Sequence, residues 1–309
     1  MSLDSIKCVF EKYETTHLDA IYADINGVSE MTCEESRFLN GLVRYFKPAK
    51  ILEVGVAAGA SSCVLLNAVK DMQETAVHSV DISKAYYKNP SLLSGWKAKE
   101  LFPDHAQWNL YLGVDLAEII ENQIKGGIDF LLLDTAHVHP AETLSFLSAF
   151  PYLSGDAIVV LHDVNLFNDP DPGNLNSYAT KLLMDSVVAD KIIPNDFKDG
   201  YLYPNIAAFQ INKDTCKYIS DVVRSLFFPW GIQVSEKTLK ATEKILQEKY
   251  PAELHALYLK SVKQNQSRRV TFKQRWAVVK RELRAMCIMC LPPSWVLFLR
   301  KIRKLLTGK

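Results

Sequence analysis

The sequence predicts an α/β protein: a doubly wound, mostly parallel sheet with helices on both faces and a helical C-terminal extension. Three observations carry this. Short runs with strand character recur between helical stretches, at Ile51–Val54, Ala76–Val80, Trp108–Leu112, Ile128–Leu133 and Ala157–Leu161. The later ones, Phe130–Leu133 and Ala157–Leu161, are apolar throughout, as strands covered on both faces must be. Glycines, acids or histidines stand just after the runs: Gly55, Asp81, Gly113 with Asp115, Asp134, and His162 with Asp163. In a parallel sheet these positions share one rim, where such folds bind ligands.

The elements follow in order. Thr32-Cys33-Glu34-Glu35 has capping-box spacing and precedes the periodic apolar positions Phe38, Leu39, Leu42, Val43 and Phe46. This helix should end near Lys47-Pro48. The strand Ile51–Val54 then enters Gly55-Val56-Ala57-Ala58-Gly59, with Ser61 and Ser62 in the first turn of the next helix. The spacing is neither that of a dinucleotide fingerprint nor that of a P-loop. Residues 84–103 read as helix plus loop, and 116–124 as a helix. Pro140 suits a first helical position, in a helix running to about Tyr152. Residues 167–199 read as a lid or substrate loop. The alternating stretch Tyr203–Ile211 should complete the sheet, and 213–265 should be helical, broken at Pro229-Trp230-Gly231.

The chain has 309 residues, of which 48% are hydrophobic and 23% charged, so most of it should be globular. We divide it into a helical lead-in (1–31), a sheet domain (32–212) and a helical C-terminal region (213–309). No secretory signal or membrane-spanning run is visible, and the six cysteines are scattered, so a cytoplasmic location with reduced thiols is the expectation. Cys287-x-x-Cys290 lacks partners for a zinc site.

The rim has the parts for one ligand. Asp81 can accept from a ribose diol, and Gly113-Val114-Asp115 lies where an adenine edge would pass. Ser61, Ser62 and the helix amides can hold a carboxylate, and Asp134 an ammonium. A ligand with those four groups is S-adenosylmethionine. Plainer readings stand beside these. Gly55 and Gly59 also suit strand–helix packing, Asp81 and Asp163 turns, Ser61 and Ser62 local backbone bonds, and Asp115 a helix N-cap.

These residues resemble the class I methyltransferases, and more narrowly the macrocin O-methyltransferase and cephalosporin-hydroxylase-like branch. The carrying motifs are Leu52-Glu53-Val54-Gly55 with Gly59-x-Ser61-Ser62, Val80-Asp81, Asp129 to Asp134 with His137, and Val160-Leu161-His162-Asp163. The resemblance covers about 32–212. It departs at Asp134-Thr135-Ala136-His137, where the family more often has glycine after the acid. It implies Glu53, Gly55, Gly59, Ser61, Ser62, Asp81, Gly113, Asp115 and Asp134 at the cofactor. By likeness to metal-dependent relatives it implies Asp134, His162 and Asp163 around magnesium or another divalent cation. Magnesium prefers oxygen, so His162 tilts the set toward manganese or a similar ion. His137 is placed as general base, with His139 in reserve. The implied activity is O-methylation of a sugar or similar small-molecule hydroxyl. The alternatives are a cephalosporin-hydroxylase-like protein of the same fold and a non-catalytic cofactor-binding scaffold.

Charge is unevenly spread. From Arg268 to Lys309 there are twelve basic residues against the single acid Glu282, a net +11 in a chain whose total is +1, so 1–267 carries −10. Apolar residues recur at helical spacing here, and Trp295–Leu306 is a short apolar stretch with a cationic end. Two readings stay open: a packing or homo-oligomer helix, and attachment to an anionic membrane surface from its inner face. Nucleic acid is disfavoured for want of a recognised module.

Overall fold

The structure is a computed structural model and describes residues 16–194 and 205–268. A helix spans Thr16–Ile25 and a second spans Cys33–Phe46. The second begins at the expected capping box: Glu35 N donates to Thr32 Oγ1 at 3.2 Å, and Thr32 N donates to Glu35 Oε2 at 2.7 Å. It stops at Lys47, which turns left-handed ahead of Pro48.

The strands in chain order are β1 (Lys50–Val54), β2 (Ala76–Asp81), β3 (Ala85–Tyr86), β4 (Asn89–Leu93), β5 (Trp108–Leu112), β6 (Ile128–Leu133), β7 (Leu153–His162), β8 (Lys191–Ile192) and β9 (Ile206–Gln210). Among the described residues, β3 and β4 pair separately and the rest form one sheet in the order β5-β2-β1-β6-β7-β9-β8. β5 through β7 are parallel, whereas β9 runs antiparallel to both β7 and β8. The chain builds outward from β1 to β2 and β5, then returns to lay β6 on β1's other side. That switch between β1 and β6 opens the crevice in which doubly wound folds bind ligands.

Both faces are apolar because successive side chains point opposite ways. Leu52, Val54, Leu131, Leu133, Val159, Leu161 and Phe209 pack on one face. Ile51, Phe130, Leu132, Ile158, Val160 and Ile206 pack on the other, under the helices Cys33–Phe46 and Ala60–Val69.

Two readings of the sequence change. Within 84–103 the chain forms the β3–β4 hairpin, turning at Tyr87-Lys88, before its helix at Trp96–Leu101. The helix after β5 is one turn at Leu116–Ile119, then widens, with Lys125 N donating to Ile120 O.

The described part of Met1–Lys263 forms one compact unit, and a second begins at Gln264. In the first, helices span Lys213–Lys217, Ile219–Ser225 and Glu236–Lys249, and Pro229-Trp230-Gly231 lies in the break. The last helix, at Ala252–Ser267, runs across the boundary between the units. Helix Glu236–Lys249 is tied to the rim by Lys237–Glu118 and Lys244–Glu121 ion pairs, and Tyr250 beyond it donates to Leu147 O. No helix among the described residues is long and apolar enough to cross a membrane. The first part of the lead-in, the end of the expected lid, and the tail from Arg269 with Cys287 and Cys290 lie outside the described residues.

Candidate active site

A cavity of about 430 Å³ opens at the switch point. Of the residues expected at the cofactor, Gly55, Asp81, Asp115 and Asp134 line it. Gly55 is required there: at φ +95° a Cβ would lie 1.7 Å from the Asp134 carbonyl oxygen, so only glycine lets β1 and β6 close at this point. Asp81 Oδ2 accepts from Val56 N at 3.1 Å and Ala57 N at 3.0 Å, and Oδ1 accepts from Ser83 N at 2.7 Å. Its carboxylate is thereby locked against the glycine turn, at the cavity wall. Asp115 caps the next helix by accepting from Ala117 N at 2.9 Å, and burial raises its pKa.

The other expected cofactor residues face elsewhere. Glu53 is fully buried on the Ile51 face and accepts from the hydroxyls of Ser61, Ser62 and Ser79. Ser61 and Ser62 therefore serve a buried acid rather than offering their hydroxyls to a ligand carboxylate. Burial pushes the Glu53 carboxyl up to about 7, against those three donors. Gly59 packs instead of binding, since a Cβ would come within 2.9 Å of Gly95 Cα. Gly113 makes room for the Lys84 side chain.

Beside the cavity, Asp134, His162 and Asp163 offer ligand atoms within 4.8 Å of one another. His162 is fully buried, with Nδ1 3.1 Å from Asp134 Oδ1 and 3.4 Å from Asp163 Oδ2. His137 completes the group, its Nε2 3.0 Å from Asp163 Oδ2 and 3.5 Å from Asp134 Oδ1. Burial alone would lower His137, but Asp163, Asp134 and Glu142 outweigh it and lift the imidazole to about 9. His162 is likewise driven well up, against burial, by Asp163 and Asp134. Asp163 is held well below the carboxylate range: burial opposes this, and the two imidazoles prevail.

Three supporting residues carried no recognisable signal. Glu142 Oε1 accepts from His137 N at 2.6 Å and Thr135 Oγ1 at 2.8 Å. Glu35, from the capping box, brings Oε2 to 3.6 Å from His162 Nε2. Asn205 donates to Asp163, because antiparallel β9 enters the sheet from the rim and so delivers the residue before it to the site. Only Glu35 could have been suspected, since its helix start was legible.

His139, the reserve base, is fully buried, and burial depresses it to about 4. Its carbonyl accepts from Gly231 N. It is a buried imidazole outside the cavity lining.

Residues 52–164 match the family model of a methyltransferase domain. The matched stretch begins within β1 and ends just past β7. No curated protein sequence matches the chain. Solved structures similar to it include the O-methyltransferase TomG from Streptomyces achromogenes in complex with SAM, at 17% identity and TM-score 0.47, over 64% of this chain and 91% of that one. A Bacillus cereus O-methyltransferase in complex with SAH is similar at 15% identity and TM-score 0.46, over 64% and 92%. MycE from the mycinamycin pathway, in complex with Mg, SAH and mycinamycin VI, is similar at 14% identity and TM-score 0.44, over 65% and 56%.

Proposed function

We propose that the chain is an S-adenosylmethionine-dependent O-methyltransferase acting on a hydroxyl of a sugar or comparable small molecule, with a divalent cation beside the acceptor. One observation carries the reading: Asp134 belongs both to the cavity lining and to the acid–imidazole cluster. A nucleoside donor filling the cavity, its ribose at Asp81, would present its sulfonium end at Asp134. An acceptor hydroxyl at the cluster then stands in line with the methyl group.

The donor set fits a cation. Four carboxyl groups, from Asp134, Asp163, Glu35 and Glu142, face two imidazoles, so acid oxygens are in surplus. Asp134, His162 and Asp163 would hold the ion, and the nitrogen donor favours manganese or another transition ion over magnesium. Such an ion lowers the pKa of an oxygen it binds and offsets the carboxylate charge. His137 would serve as the base once a bound ion drew Asp163 away from it, which would lower the imidazole and free Nε2 to take the hydroxyl proton, while Glu142 anchors its backbone amide. Asn205 and Glu35 fix Asp163 and His162 from behind.

Calorimetry with S-adenosylhomocysteine, with and without Mn²⁺ or Mg²⁺, tests the cofactor, and transfer of labelled methyl to a panel of sugars tests the acceptor. Asp163→Ala should abolish transfer and leave nucleoside affinity within about twofold. Absence of nucleoside binding, or activity surviving that change, refutes the reading. The net +11 of the tail favours attachment to an anionic membrane and thus a surface-polysaccharide or lipid-linked acceptor. Flotation with anionic liposomes, with and without 268–309, decides this; equal binding by both proteins rules it out.

A further inference from the structure

The cavity has a wall outside the methyltransferase-domain match. That match ends at residue 164, yet Ile232, Gln233, Val234, Ser235 and Thr238 line the cavity. The first four come from the break between two helices of the C-terminal region and Thr238 from the first turn of the second, and the break is seated firmly. Gly231 N donates to His139 O at 2.8 Å. A Cβ on Gly231 would come within 2.5 Å of Val138 Cγ1, so the chain lies directly on the loop after β6. Ser235 caps the following helix by accepting from Thr238 N at 3.0 Å. The Thr238 side chain is hydrogen-bonded to Asp115, and Lys237 pairs with Glu118 at 2.6 Å, which fasten the same turn to the loop after β5.

The cavity's ends are chemically distinct. Asp134 marks the end at the acid–imidazole cluster, and Asp81 stands at the glycine turn. The end walled by 232–238 meets the residues after β5 through the Thr238–Asp115 bond, and the lining on either side of Asp115, Val114 and Leu116, is apolar. With ribose at Asp81 and the sulfonium at Asp134, a flat base has this end left to it. Gln233 is exposed toward the cavity and is the carboxamide in its lining, offering both a donor and an acceptor. An adenine edge presents the same pair, an exocyclic amine beside a ring nitrogen.

We propose that the segment Ile232–Thr238 is the nucleobase wall of the cofactor pocket, and that the Gln233 carboxamide reads the amine edge of the adenine. The inference rests on the reading of the cavity as an S-adenosylmethionine site. Calorimetry on the full chain, with S-adenosylhomocysteine and with S-inosylhomocysteine, in which the amine becomes a carbonyl, tests it in wild type, Gln233→Ala and Lys240→Ala. Wild type should prefer the adenosyl ligand about tenfold, the size of one well-made hydrogen bond. Gln233→Ala should bind it about tenfold more weakly and lose the preference. Lys240→Ala, exposed on the same helix and outside the cavity lining, should behave as wild type. Because Gln233 is exposed, its truncation opens no core cavity. A Gln233→Ala protein that keeps the preference, with or without a loss of affinity, overturns the role of Gln233 and leaves the cofactor reading standing. An intact chain that binds neither nucleoside overturns both.

Discussion

Glu53 is an acid sealed under the helix Ala60–Val69, and its titration has a measurable sign. Burial lifts its carboxyl from the ordinary 4.5 to about 7, although three serine hydroxyls favour the ionised form. The folded protein therefore holds this proton more tightly than the unfolded chain. Its contribution to stability is fully present below the unfolded value and is lost as pH rises through about 7. At about 1.4 kcal/mol per tenfold change in proton affinity, the loss between about pH 4 and pH 8 is about 3 kcal/mol. Glu53→Gln preserves the shape and removes the titration. Its amide must face at least one hydroxyl that then turns to accept, an offset that does not vary with pH. Urea unfolding of both proteins across this range gives the test. The stability of the variant relative to wild type should climb by about 3 kcal/mol, most steeply between about pH 5 and pH 7. A difference independent of pH refutes the argument. A difference that falls with pH would mean that the hydroxyls outweigh burial and that Glu53 is ionised in the fold.

Three further outcomes are expected. Gly55→Ala must adopt a left-handed backbone and drive a methyl into the Asp134 carbonyl. It should cost at least about 2 kcal/mol in urea unfolding and abolish nucleoside binding, since Asp134 moves with the strand end. His139→Leu replaces a neutral buried imidazole, so methyl transfer should stay within about threefold and the pH–rate profile should not shift; loss of activity in a folded variant would return His139 to the chemistry. Asn205→Ala removes the donor to Asp163 and should weaken Mn²⁺ binding about tenfold by calorimetry while leaving S-adenosylhomocysteine affinity unchanged.

The parallel sheet was legible because its strands are apolar on both faces and end in polar punctuation. The helix starts were legible where capping chemistry is local, as at Thr32 and Asp115. Side-chain direction was not. Ser61 and Ser62 sit where a ligand carboxylate could reach them, yet a buried Glu53 beneath the same turn claims both hydroxyls. Nothing in the local spacing ranks an internal acid against an external one. The antiparallel entry of β9 was equally hidden, because an alternating run has no direction until its partner is known. With it went Asn205. The wall at 232–238 could not be read either, as it depends on a helix docking through ion pairs to residues more than a hundred positions away.

The backbone around the cluster carries the same lesson in energetic form. His137 and Asp163 both hold positive φ, 55° and 60°, where a side chain costs about 1–2 kcal/mol. They follow adjacent strands, β6 and β7, so the two strained turns face each other across the rim. Each is fixed from both sides. The His137 amide donates to Glu142, and its carbonyl accepts from Ala179 N at 3.2 Å. Val164 N, just after Asp163, donates to Asn205 O at 3.1 Å, while the Asn205 side chain donates to the Asp163 carboxylate. Relaxing either turn would swing an imidazole or a carboxylate out of the cluster and cost buried Glu142 its bond from the His137 amide, or the Asn205 amide its acceptor, which is the larger loss. The strain therefore persists because the polar groups behind the site over-determine it, and the sharp turns aim His137 and Asp163 at one another 3.0 Å apart.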